Sequence, residues 1–193
     1  MKSYCINLAH RPERWELAQK EFEKIGFQVE RFEGIYKKPG FVGCKESHLK
    51  ILQQNRHEQT FAIFEDDIIF MPNALEILSN ALIQLPKKWD LLHLGCNPQS
   101  QLKRYSDNLF ELKDSYTTHA MILNSPVMVD YILKNRGIIR KIDVYYSDVI
   151  FNYFNCYVTW PLVAAQRNGQ GDVCKGVTNY YDTITQNFKK FTE

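Results

Sequence analysis

What this 193-residue chain lacks narrows its role before any motif is read. No apolar run approaches the ~20 residues of a membrane-spanning helix, so no integral membrane segment is expected. The opening Met1-Lys2-Ser3-Tyr4-Cys5-Ile6-Asn7-Leu8 meets Asn7 and then His10-Arg11 too soon for a secretory leader. That reading places the protein in the cytoplasm. Charge of either sign is scarce in excess: the net value is +2, so neither nucleic acid nor an anionic membrane is demanded as a partner. The five cysteines, Cys5, Cys44, Cys96, Cys156 and Cys174, are odd in number and scattered, with no CxxC pair. Reduced thiols fit that pattern better than a disulfide framework or a zinc site. Repeats, low-complexity tracts and linkers are also missing, which leaves residues 1–193 as one expected domain.

The apolar patterning gives a series of short elements. Ser3 to Leu8 reads as a strand. Pro12 suits a first helical turn, and Trp15, Ala18, Phe22 and Ile25 continue it as an amphipathic helix to Ile25. Phe27 to Phe32 alternates as a second strand, Gly34 to Gly43 as a loop, and Cys44 to His57 as a helix. Asn73 with Glu76 predicts a capped helix to about Leu85. Trp89 to Leu94, Phe110 to Leu112, Thr117 to Leu123 and Cys156 to Trp160 read as strands, and Gln99 to Asn108 as a mobile polar loop. Ser125-Pro126 opens a helix to about Asn135, and Asp143 to Phe154 is expected to be helical. Beyond Pro161 the periodicity is poor. Strands alternating with helices predict an α/β sandwich around a mostly parallel central sheet flanked by helices.

Within this pattern, Thr60-Phe61-Ala62-Ile63-Phe64-Glu65-Asp66-Asp67 is the most informative stretch. An apolar run of this kind suits a strand buried on both faces, and ligands gather beyond the carboxyl ends of such strands. Three acids there repel one another unless a cation, solvent or a positive ligand holds them. A hard divalent ion, Mg²⁺ or Mn²⁺, uses one or two carboxylates and leaves positions for water and phosphate oxygens. Strand alternation would point Glu65 and Asp67 one way, with Asp66 opposite or in the turn. The same triplet also reads as a solvated acidic turn.

Other constellations are weaker alone. Arg11 and Arg14 follow Asn7 at a strand-to-helix turn, where guanidinium groups and a helix N-terminus suit phosphate; they also read as solvated arginines. Gly43-Cys44-Lys45-Glu46-Ser47-His48 opens a helix, with His48 either a core histidine or a ligand. Thr117-Thr118-His119-Ala120 lies on a late strand. Asp143 and Asp148 flank a helix start, and Gln166 to Asp172 forms a polar loop that could close over a ligand.

Taken in order, these segments resemble glycosyltransferase family 25, which holds bacterial lipopolysaccharide glycosyltransferases and collagen galactosyltransferases. The resemblance rests on Ile6-Asn7-Leu8 with Arg11 and Arg14, Gly43-Cys44 with Ser47-His48, Phe64-Glu65-Asp66-Asp67, Trp89-Asp90-Leu91 with Leu94-Gly95, and Thr118-His119-Ala120. Looser matches are Asp143 after Ile142, and Gln166 followed by Asp172. Met121 stands where many relatives carry Tyr. The resemblance implies a GT-A nucleotide-sugar fold, a UDP-sugar donor, a Mn²⁺ or Mg²⁺ cofactor and inversion at the anomeric carbon. It implies metal on Asp67 and Glu65, and Asp66 toward the donor ribose or sugar. Asn7, Leu8, Arg11, Arg14, Ser47, His48, His119 and Gln166 would line the nucleotide-sugar site.

The expected reaction moves a hexose, galactose or glucose, to a hydroxyl of a glycan or other acceptor. Asp143 is the first choice of base and Asp148 the second. Two rivals fit part of the pattern: a metal-dependent phosphohydrolase and a non-catalytic nucleotide-sugar or glycan-binding module.

Overall fold

The computed structural model describes residues 1–171 and 176–192. The first half alternates as expected: β1 (Lys2–Asn7), α1 (Pro12–Lys24), β2 (Glu30–Glu33), α2 (Gly40–Gln54), β3 (Phe61–Glu65), β4 (Ile68–Phe70), α3 (Ala74–Gln84) and β5 (Leu91–His93). Short strands come next: β6 (Asn97–Pro98), β7 (Lys103–Ser106), β8 (Leu109–Glu111), β9 (Ser115–Tyr116) and β10 (Ala120–Leu123). Then come α4 (Pro126–Lys134), α5 (Ile142–Tyr145), a π turn over Tyr146–Ile150, α6 (Phe151–Tyr153), β11 (Cys156–Thr159), β12 (Ala164–Gln166), β13 (Gly169–Gln170), β14 (Val177–Thr178) and α7 (Tyr180–Thr192).

The main sheet has eight strands in the order β2-β1-β3-β10-β5-β11-β8-β7. All run in one direction except β10 and β8, which pair antiparallel with their neighbours. This is the mostly parallel α/β arrangement that the alternation predicts.

Two-residue alternation sorts β3 between two cores. Phe61 and Ile63 pack with Leu49, Ile51 and Leu52 of α2 and with α4 on one face. Ala62 and Phe64 pack with Ala18 and Phe22 of α1 and with α3 on the other. Glu65 continues the Phe61–Ile63 side and therefore emerges toward α2. Met121 is fully buried opposite Ile63 and His93, a core position rather than a cleft position.

Several sequence expectations are corrected. The second strand starts at Glu30, because the Phe27 N–H returns to the Phe22 carbonyl (3.0 Å) and its ring joins Phe64 and Phe70. Helix α2 begins at Gly40, one turn earlier than Cys44. Asn73 stands at the N-cap of α3 with φ 60° and makes no side-chain capping bond. The polar stretch after Gln99 contains β7, an edge strand whose Lys103 pairs across to Glu111 at 2.9 Å. Its exposed, charged side chains hide its pairing from a search for apolar alternation. The strand expected from Thr117 is confined to Ala120–Leu123, since Thr117 has φ 76°. The helix expected from Asp143 to Phe154 is interrupted by the π turn.

The poorly periodic end folds as a thirteen-residue helix, α7. Only Ile184, Phe188 and Thr192 are buried, a stripe too narrow to stand out in the sequence. Phe188 stacks on Trp160 with centroids 5.7 Å apart, and α7 backs β6 and β12. No helix among the described residues is long and apolar enough to cross a membrane. Phe188→Ala empties a fully packed site and is expected to lower stability by ~3–5 kcal/mol in denaturant unfolding. A loss below about 1 kcal/mol would show that α7 is not anchored through this ring.

Candidate active site

A cleft of about 770 Å³, part of it open to solvent, lies at the carboxyl ends of β1, β2 and β3. Each strand delivers side chains from its end or from the segment just beyond it. After β1 come Leu8 and, on the first turn of α1, Arg14. After β2 come Ile35, Tyr36 and Lys37. β3 delivers Glu65, Asp66 and Asp67, and α2 closes the wall with Gly43, Cys44, Ser47 and His48. Gln166 and Tyr180 complete the lining from the later chain.

The wall is held by close backbone packing. A Cβ on Gly43 would sit 2.2 Å from the Ile35 carbonyl, so only glycine lets α2 approach the loop after β2. Ser47 completes that contact: its hydroxyl accepts the Ile35 N–H (2.8 Å) and donates to the Gly43 carbonyl (2.8 Å). Ser47 is thus a clamp on the loop as well as part of the lining.

The three acids are parted rather than gathered. β3 ends at Glu65 and a turn begins there, so strand alternation does not extend to Asp67. Glu65 faces His48 Nε2 (3.2 Å) and accepts the Thr118 hydroxyl (2.8 Å). Burial raises its pKa, but the hydrogen bond and charge of His48, with Thr118, outweigh burial and hold it well below the usual carboxylate range. Asp66 turns to the α1 side, accepting from Asn7 Nδ2 (2.6 Å) and Arg14 Nη2 (2.7 Å). Asp67 shares that guanidinium at 3.1 Å and accepts from Gln166 Nε2 (3.2 Å). Burial, then the nearby Glu65 charge, push the Asp67 pKa up to about 7 against the pull of Arg14.

Two oxygens bear on a cation. Asp67 Oδ1 and Gln166 Oε1 are buried and have no hydrogen-bond partner. They are hard donors, and a carboxylate whose charge is under-compensated gains from a divalent ion. The residues therefore fit Mn²⁺ or Mg²⁺ on Asp67, with phosphate or water completing the shell, while Glu65, the other expected ligand, is engaged by His48 and Thr118.

Of the expected site residues, Leu8, Arg14, Ser47, His48, Glu65, Asp66, Asp67 and Gln166 line the cleft. Asn7 lies beneath it. Its amide nitrogen donates to Asp66 and to the Arg11 carbonyl (2.9 Å), and its oxygen accepts from Arg31 Nε and Nη2 (2.9 and 2.6 Å). It positions Asp66. Arg11 lines an adjoining groove with Arg14 and Arg167, and its Nε bonds Glu13 at 2.7 Å.

His119 is fully buried behind the strand end, where burial depresses its pKa to about 4 and keeps it neutral near pH 7. Gly95 lies beside it: a Cβ there would sit 3.4 Å from His119 Nε2 and would collide with the Ala164 carbonyl at 1.8 Å. Asp143 lies in the first turn of α5, which packs on α2, and its charge bears on the Cys44 thiol, but it is not part of the cleft lining. Asp148 is exposed on the π turn and is not part of the cleft lining. Asp172 lies outside the described residues. Sequence reading missed Tyr36 and Lys37, although a loop after a parallel strand was the available signal.

Residues 39–137, just over half of the chain, match the family described as Glycosyltransferase family 25 (LPS biosynthesis protein). A putative glycosyltransferase, R655, of Acanthamoeba polyphaga mimivirus is 26% identical over 146 residues, covering 63% of this chain and 45% of that protein. A Glycosyltransferase 25 family member of Drosophila melanogaster is 28% identical over 162 residues, covering 63% of this chain and 26% of that protein. The match thus spans less than half the length of either relative. Among solved structures, a glycosyltransferase involved in glycosylation of the major capsid of PBCV-1 superposes with TM-score 0.52 at 7% identity, covering 81% of this chain and 80% of that one. A197 from STIV does so with TM-score 0.52 at 10% identity, covering 86% and 85%. These two likenesses carry the fold alone. On the family match and the motifs that line the cleft, the chain belongs to glycosyltransferase family 25.

Proposed function

We propose that this chain transfers a hexose, galactose or glucose, from a UDP-sugar to a hydroxyl of a glycan or other acceptor, with inversion and with Mn²⁺ or Mg²⁺ bound. On this reading the fold is of the GT-A type and the nucleotide lies across the ends of β1 to β3, where the cleft opens. The observation that carries it is Asp67. Its Oδ1 is buried and unpartnered, on a carboxylate paired with Arg14 just beyond the end of β3.

When bound, the ion supplies Lewis-acid neutralisation of the diphosphate. The chain's own residues do the rest. Arg14, held by Asp66 and Asp67, presents a fixed positive charge to the diphosphate, and Lys37 adds a second cation to the cleft lining. Tyr36, 57% exposed at the rim and edge-on to His10, offers a face for the base or sugar. Neither aspartate lines the cleft; Asp143 is the proposed base because its helix packs on the α2 wall and its charge reaches Cys44, whereas Asp148 is exposed on the π turn. A second reading has one observation in its favour: Arg14 already pairs with two of the acids, so nucleotide binding without a metal is the outcome expected of a non-catalytic module.

Slow hydrolysis of a panel of UDP-sugars, with and without Mn²⁺, needs no acceptor and tests the reading directly. Mn²⁺-dependent release of one hexose is expected; metal-independent UDP binding with no hydrolysis would favour the binding module. Asp143→Asn should lower turnover ~10²–10⁴-fold and leave UDP affinity near wild type. Wild-type rates would remove Asp143 from the role.

Asp67 also predicts a pH dependence. Its folded pKa, about 7, stands above the ordinary 3.8, so the folded protein binds more protons than the unfolded chain between those values. Stability from this group is complete below about 4 and is lost as pH rises through 7. The melting temperature of Asp67→Asn minus that of the metal-free wild type should therefore increase from pH 5 to pH 8. Mn²⁺ should raise the wild-type value most at the upper end. A difference that is flat with pH would contradict the raised pKa.

A further inference from the structure

Cys44 has no part in the proposed transfer, yet it stands on the cleft wall beside two groups that bind metals. Cys44 and His48 are four residues apart on α2, so their side chains share one helix face. That face meets the end of β3, where Glu65 emerges. Cys44 Sγ, a ring nitrogen of His48 and a carboxylate oxygen of Glu65 lie within 4.8 Å of one another, the only such trio of potential ligands among the described residues.

The details suit coordination. His48 Nε2 and Glu65 Oε1 are already 3.2 Å apart, close to the spacing of neighbouring ligands around an ion with bonds of ~2.0–2.2 Å. His48 is fully buried and its Nδ1 has no hydrogen-bond partner. Cys44 is a free thiol that lines the cleft. Burial, then the charges of Glu65, Asp143 and Asp67, push its thiol up, so the thiolate forms only with an ion's charge to hold it.

We propose that Cys44, His48 and Glu65 form a second cation site for a borderline transition ion of the Zn²⁺ class, with its fourth position open to the cleft. Sulfur, nitrogen and oxygen donors together select such an ion over Mg²⁺, which prefers oxygen throughout. The charges balance: on binding, the Cys44 thiol releases its proton to solvent, His48 gives up the Nε2 proton it shares with Glu65, and one thiolate with one carboxylate neutralises the divalent ion. Glu65 belongs to both this site and the strand-end acid cluster. Zn²⁺ would therefore withdraw Glu65 from the latter and stand in the cleft, making it an inhibitor where Mn²⁺ is an activator. The binding itself does not depend on the proposed sugar transfer.

Co²⁺ titration of the full chain tests the site without any turnover. A thiolate-to-cobalt charge-transfer band is expected for the wild type, lost in Cys44→Ser, and abolished by Zn²⁺ but not by equimolar Mg²⁺. In the unaltered protein, Zn²⁺ should protect Cys44 from N-ethylmaleimide, mapped by mass spectrometry. This second measurement holds even if the variant folds poorly. Absence of the band in the wild type, its survival in a folded Cys44→Ser variant, or unprotected alkylation of Cys44 under Zn²⁺ would overturn the proposal.

Discussion

Three adjacent carboxylates at the end of one buried strand are the constraint on which the site depends. Unit charges ~6 Å apart repel by about 3 kcal/mol at an effective dielectric of 20. The fold compensates Glu65, Asp66 and Asp67 with partners from several elements, Arg14 serving two of the three. His48 of α2 and Thr118, just before β10, take the first. Asn7 of β1 and Arg14 of α1 take the second, while Arg14 and Gln166 of β12 share the third. Elements far apart in the chain are thereby tied to one point. The compensation is incomplete, and the buried, unpartnered oxygen of Asp67 is left for a ligand.

That dependence also explains the supporting layer. Asn7 makes no contact that a nucleotide could use, because each polar atom of its side chain is engaged in fixing Asp66, Arg31 or the start of α1. Ser47 and Gly43 hold the loop after β2 so that Tyr36 and Lys37 reach the cleft. Helix α7 packs behind the strand that carries Gln166. Glu65 stands between the cation proposed on Asp67 and the one proposed on Cys44 and His48, so under those proposals the identity of the bound ion would control the site.

Much of this architecture was legible in the chain. The apolar run of β3, the proline-started α1 and the Ser125-capped α4 arise from local rules, and their order indicates the parallel sheet. The acid-tipped strand marked the cleft because apolar strand and charged turn meet there abruptly. The misses share a cause, since they depend on contacts distant in sequence. Strand alternation could not place Asp67, because a turn begins after Glu65. Burial of His119 removes it from the cleft lining, although Thr118-His119-Ala120 helps carry the family resemblance. The scattered cysteines gave no metal spacing. Cys44 and His48 acquire a third potential ligand only when α2 packs against β3, seventeen residues on from His48. Arg31 carried no signal at all, being an exposed strand residue whose role lies in its grip on Asn7.

The central claim is that the end of β3 holds the diphosphate of a nucleotide-sugar through a cation on Asp67. Diffraction at the manganese absorption edge from crystals grown with Mn²⁺ and UDP tests it most directly. The account predicts an anomalous peak at bonding distance from Asp67 Oδ1, with the diphosphate between that ion and Arg14. UDP bound elsewhere, or bound in this cleft with no ion on Asp67, would contradict it.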